Sequence, residues 1–130
     1  MFFDDQKLIR MLKDAPTAST VKIFYFIAHN QPSDGITGYE TTKEQLAFDL
    51  NLKTSTIFAA LHWLKANGLI NELKQIETID FMANPYYVMN NGDRKARIAE
   101  FTRRDRIFLK KESEAKQRKR IRELKKTSNQ

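Results

Sequence analysis

The sequence predicts a mainly α fold with a small β-hairpin and a long basic helix at its C-terminal end. Three observations carry this. Segments before residue 69 place apolar residues at helical spacing. Two β-prone arms, residues 69–74 and 78–83, flank a short tip. Residues 93–130 then hold 15 Lys and Arg against 6 Asp and Glu. In this order they point to a winged helix-turn-helix in residues 1–92, with its N-terminal helix, followed by a basic helix or partly disordered tail over 93–130.

Composition excludes several classes. A chain of 130 residues with 41% hydrophobic content can bury one core and carry an appendage. The absence of cysteine removes disulfides and thiolate metal sites. Only His29 and His62 offer imidazole, and no carboxylate cluster brackets either, so no metal and no cofactor is expected. The start "MFFDDQK" lacks a basic leader segment, and the longest apolar stretch, "VKIFYFIAH", is far shorter than the ~20 residues a bilayer requires. A soluble, cytoplasmic protein is expected, with no membrane partner. Residues 1–92 carry a net charge of −2 and residues 93–130 one of +9. A near-neutral body with a cationic end suits a polyanion, most often nucleic acid; a solvated charged helix is the alternative that charge alone leaves open.

The elements follow in order. "DDQKLIRMLKDA" sets Leu8, Met11 and Leu12 on one helical face, with Asp4 or Asp5 as cap, and Pro16 ends it. "TASTVKIFYFIAHN" aligns Val21, Phe24, Ile27 and Ala28, and Tyr25 and Phe26 are expected to thicken the buried side. Pro32 stops this helix, Asp34-Gly35 reverses the chain, and "ITGYE" suits a brief edge strand. "TTKEQLAFDLNL" opens with a capping box in either of two registers, Thr41 with Glu44 or Thr42 with Gln45, and turns Leu46, Ala47 and Leu50 inward. After the Asn51 turn, "LKTSTIFAALHWLKANGLI" stacks Ile57, Ala60, Leu61 and Leu64 on one side. Gly68 suits the left-handed stop. "NPYYVMNNGD" reads as a loop or single turn, and Asp93 as the cap of the last helix.

The functional expectation centres on the second helix of the pair. Its first turns must approach base edges closely in the major groove, and Thr54, Ser55 and Thr56 are small enough and can bond to several of them. Lys53 stands where such helices often keep a hydroxyl cap, so Thr54 is expected to cap instead. Ser55, Phe58, Ala59 and His62 point away from the apolar stripe. Phe58 either meets thymine methyls or folds back on the neighbouring helix, and His62 is either a phosphate contact or a plain surface residue. Trp63 is expected to pack. Thr42, Lys43, Lys53, Lys65 and Lys74 complete the DNA-facing set on the domain. The wing carries Glu72, Glu77 and Asp80 against Lys74 alone, so its deep insertion among phosphates is disfavoured. In the tail, Ile98, Phe101, Phe108 and Leu109 give an apolar side for docking or for pairing with a second copy. Arg118, Lys119 and Arg120 belong to a phosphate-tracking stretch, "KQRKRIRELKK".

Residues 21–101 resemble the RepL family of plasmid replication proteins. The resemblance lies in "VKIFYFIAHN", "TTKEQLA", "TSTIFAALHWLKANGLI" and above all "FMANPYYVMNNGDRKARIAEF", where a strand runs into Asn84-Pro85 and then Gly92-Asp93. It implies a winged-helix protein that recognises origin DNA and recruits host replication machinery, with Thr54, Ser55, Phe58, Ala59 and His62 reading the origin. The chain departs from that family in its longer, acidic wing and its basic end.

The expected function is therefore sequence-specific binding of double-stranded DNA, as a plasmid replication initiator, with a winged-helix transcriptional regulator as the alternative. The partners are an origin or operator, host replication proteins, and a second copy in a homodimer. Catalysis is not expected. Tyr86-Tyr87 would suit a strand-nicking enzyme, but such enzymes need a metal held by closely spaced histidines, and the tyrosines are expected to pack under the hairpin.

Overall fold

The computed structural model describes residues 2–89 and 94–128. After a two-residue strand β1 (Phe2–Phe3), helix α1 (Asp5–Asp14) starts at Asp4, whose carboxylate accepts the Lys7 N–H at 3.0 Å. It ends before Pro16, which cannot donate a helical hydrogen bond. Helix α2 (Ala18–His29) is capped by the Thr17 hydroxyl and buries Ile23, Phe24, Ile27 and Ala28. Tyr25 does not join that face as expected. At ~100° per residue it falls about 130° from the centre of the buried stripe, and it stands half exposed, stacked on His29 with ring centroids 5.9 Å apart.

The reversal after α2 is built by Asp34, whose Oδ1 accepts the N–H groups of Ile36 (3.0 Å) and Thr37 (2.8 Å), with Gly35 at φ 82°. Strand β2 (Tyr39–Thr41) follows, then α3 (Lys43–Leu50) and α4 (Thr54–Ala66). Of the two capping registers, α3 takes the second. The Thr42 hydroxyl accepts the Gln45 N–H at 3.0 Å, while the Gln45 side chain bonds forward to Asp49, so no reciprocal box forms. Asn51, in the left-handed region at φ 53°, makes the tight turn between the two helices.

Ile57, Ala60, Leu61 and Leu64 of α4 are all buried against α2, α3 and the sheet, as their spacing predicts. Each large apolar side chain so buried contributes about 1.5–3 kcal/mol. Gly68, at φ 71°, ends the helix, and the chain turns into β3 (Ile70–Lys74) and β4 (Ile79–Ala83).

The sheet order is β2-β4-β3, antiparallel throughout, with Tyr39 opposite Phe81 and Ile70 opposite Ala83. Alternation along β4 sends Ile79, Phe81 and Ala83 to the helical core and turns Asp80 and Met82 to the other face. This order of helix, strand, two helices and hairpin is the winged helix-turn-helix, the hairpin being its wing.

Two parts of the fold differ from the sequence expectation. Residues expected as a loop contain a strand, β5 (Val88–Met89), which pairs antiparallel with β1. Tyr86 does not pack under the hairpin. It is half exposed, and the Lys7 ammonium lies 5.0 Å from its ring and 5.8 Å from that of the partly buried Tyr87.

The last helix, α5 (Arg94–Ser128), is continuous over 35 residues, about 52 Å at 1.5 Å per residue. Its expected cap, Asp93, lies outside the described residues. The first turns cross the sheet face opposite the helical core. Of the side expected to dock or to pair with a second copy, Phe101 docks, whereas Phe108 and Leu109 are more than half exposed and do not pack on the domain. The buried residues are Arg97, Phe101 and Arg104, spaced i, i+4 and i+7 along one helical face.

Candidate nucleic-acid interface

Helix α4 divides cleanly. Its inner stripe is core, while Thr54, Ser55, Phe58, Ala59 and His62 are exposed and Thr56 is half buried. Lys53 occupies the N-cap position, and no side chain bonds to the first-turn N–H groups; Thr54 does not cap the helix as expected but forms its first residue. Uncapped N–H groups and the positive end of the helix dipole face outward together, an arrangement that favours an anion. Phe58 keeps 44% of its surface exposed and carries the Lys43 ammonium 4.6 Å from its ring centroid. It neither stands free nor folds into the core. The contact joins the start of α3 to the outer side of α4, a cation–π interaction of about 0.5–1 kcal/mol at an exposed site.

The remaining expected residues fall in four places. Thr42 is spent as the cap of α3. Lys65 bridges to Glu72 of β3 at 3.2 Å, tying the end of α4 to the wing. Lys74 is exposed where the wing begins its tip. Arg118, Lys119 and Arg120 are exposed on the distal part of α5, well along the helix from its docked turns.

The wing's acidity, as read from the sequence, needs correction. Asp80 does not face outward: its carboxylate is buried and lies 2.8 Å from Arg104 Nη1. Glu72, on the other face of the same hairpin, is neutralised by Lys65. The exposed tip is Lys74, Gln75, Ile76 and Glu77, with Ile76 wholly in solvent. The wing is therefore much less repulsive to phosphates than its composition implies.

Behind the wing lies a buried polar knot. Arg104 also donates from Nε to Glu100 Oε1 (3.0 Å) and from Nη2 to the Ile36 carbonyl (3.2 Å). Arg97 donates to the carbonyls of Thr37 (3.1 Å) and Pro32 (2.7 Å), and Asn71 Nδ2 to that of Phe101 (3.2 Å). Hydrogen bonds from Arg103, helped by Arg104, bring the Glu100 carboxyl down to about 2. Burial pushes the Asp105 carboxyl up and the Arg97 guanidinium down. The hydroxyl and amide of Thr37 hold Asp34 below its ordinary value. Sequence reasoning counted Arg97 and Arg104 as tail charge. Their spacing with Phe101 was the available signal that they lie on the docked face.

Among the described residues there is no cluster of His, Asp and Glu suited to a metal ion, and no helix long and apolar enough to cross a membrane. No protein-family model matches the chain, and no curated protein matches it. The resemblance to RepL proteins thus rests on the quoted residues alone. Among solved structures the chain is similar to HlyU from Vibrio cholerae N16961, with TM-score 0.45 and 19% identity over 84% of this chain and 99% of that one. It is similar also to reduced HlyU from the same organism, with TM-score 0.45 and 19% identity over 80% of this chain and 90% of that one.

Proposed function

We propose that this chain binds double-stranded DNA sequence-specifically, laying the outer face of α4 in the major groove, and that it acts by binding rather than by catalysis. One observation carries the reading: Ser55, Phe58, Ala59 and His62 form a continuous exposed face on a helix whose other side is wholly committed to the core. Small side chains at the leading turn permit close approach, and Ser55 and His62 supply polar groups for base edges or phosphates. The neutralised wing supports the same reading, since Lys74 meets the backbone with only Glu77 opposing it at the tip.

Of the two uses of such a surface, we place transcriptional regulation at an operator first. It requires only the DNA-binding face. A replication initiator also requires a surface for host machinery, and the first part of the segment that carries the likeness to initiators has a structural role of its own, while Gly92-Asp93 lies outside the described residues. Asn84 donates from Nδ2 to the Gly68 carbonyl (2.8 Å) and accepts the Tyr86 N–H (2.9 Å), stapling the end of the wing to the end of α4. Initiation stays the second reading, supported by the RepL resemblance.

The experiment is selection of bound duplexes from a random pool, followed by footprinting. A defined site with protected major-groove positions is the outcome this reading expects. Recovery of no preferred sequence would remove base readout. A site beside a promoter supports regulation, and one within repeats of the replicon carrying the gene supports initiation.

A further inference from the structure

We infer that one face of the distal part of α5 is a phosphate-binding stripe that lies along duplex DNA beside the recognised site, an inference that rests on the DNA-binding reading. The sequence marks a basic run at Arg118, Lys119 and Arg120, but a helix does not present a run as a unit. Stepping ~100° per residue, Lys111, Arg118, Lys119, Arg122, Lys125 and Lys126 fall within an arc of about 120°. Glu112, Glu114 and Glu123 all lie outside that arc, as do Lys110, Lys116 and Arg120. The cations are sorted onto one side, and Arg120 is not among them.

The length and stiffness suit the same ligand. From residue 111 to 126 the stripe runs about 22 Å, the rise of roughly six base pairs at ~3.4 Å each. The segment is rich in Lys, Arg and Glu, which favour helix without tertiary support. A Glu112–Lys116 pair at 3.6 Å bridges one turn on the other side. At its root the helix is fixed to the domain by Arg97, Phe101 and Arg104. The stripe is therefore held in a set direction from α4. A membrane surface fits less well. An interfacial helix needs a broad apolar face opposite its charges, and residues 110–128 offer only Ile121 and Leu124.

The test compares two full-length variants with equal charge change. One is Lys111→Gln, Arg118→Gln, Arg122→Gln; the other is Lys110→Gln, Lys116→Gln, Arg120→Gln. Each is titrated over a salt series against a duplex bearing the selected site and against a scrambled duplex, with circular dichroism confirming that helix content is kept. The stripe variant should flatten the slope of log affinity against log salt by about 2–3 and weaken both duplexes alike, on the order of tenfold or more. The other variant should change the slope by less than about 1. Equal changes in the two variants would overturn the stripe, leaving only net charge. No change in either would remove the distal helix from DNA while leaving α4 readout intact. Failure of the parent chain to bind any duplex would sink the DNA reading, and this inference with it.

Discussion

Arg104 Nη1 sits 2.8 Å from Asp80 Oδ1, and both side chains are almost completely withdrawn from solvent. The pair joins α5 to the central strand of the sheet, so the wing and the distal helix share one anchor. Buried pairs of this kind are asymmetric in energy. Removing one partner strands the other charge at a cost of about 3–5 kcal/mol, while replacing both with well-packed apolar groups is close to neutral. Denaturant unfolding should show losses of that size for Arg104→Ala and for Asp80→Ala. The double variant Asp80→Leu, Arg104→Met should recover most of the loss. A loss below about 1 kcal/mol for Arg104→Ala would mean that the pair does not hold the helix.

Gly38 gives a second, purely steric expectation. A Cβ there would run into the Asp80 carboxylate and the Phe81 carbonyl, the latter being backbone that cannot swing aside. Gly38→Ala should destabilise by about 1–3 kcal/mol, the usual cost of overpacking. Its unfolding midpoint, compared with that of the parent, checks this. An unchanged midpoint would show that β2 and β4 are not so closely pressed.

Acid should loosen the docked turns of α5. Glu100 titrates at about 2 in the folded chain, below its ordinary 4.5, because Arg103 and Arg104 bind its charged form. A depressed folded value stabilises fully above the unfolded value and loses that contribution as pH falls from 4.5 toward 2. Asp105 has the opposite sign: burial raises its value, so its ionisation opposes folding as pH rises above its ordinary 3.8. Unfolding free energy measured from pH 5 downward should fall, and Glu100→Gln should flatten the decline. A variant with the parent's acid limb would assign that limb to other carboxylates.

Much of the candidate interface is legible in the sequence because α4 is governed by one periodicity. Ile57, Ala60, Leu61 and Leu64 are buried, and Ser55, Phe58, Ala59 and His62 exposed, as helical spacing alone requires. The turns are equally local, since Asn51 and Gly68 each take the left-handed backbone that few other residues tolerate. What escapes is non-local. The β1–β5 pairing joins residues more than eighty positions apart, with no local pattern to announce it. Arg97 and Arg104 count as surface charge until the carbonyls and carboxylate that receive them are in place. The same contact reverses the reading of the wing, because Asp80 repels phosphate in a composition but not in a buried ion pair.

Base readout by the outer face of α4 is tested most directly by affinity measured across a panel of single-base variants of the selected site. Ser55→Ala and His62→Ala should each lose about 1–3 kcal/mol of discrimination at one base position and leave the others as in the parent. Uniform weakening across the panel, or no change at any position, would contradict it.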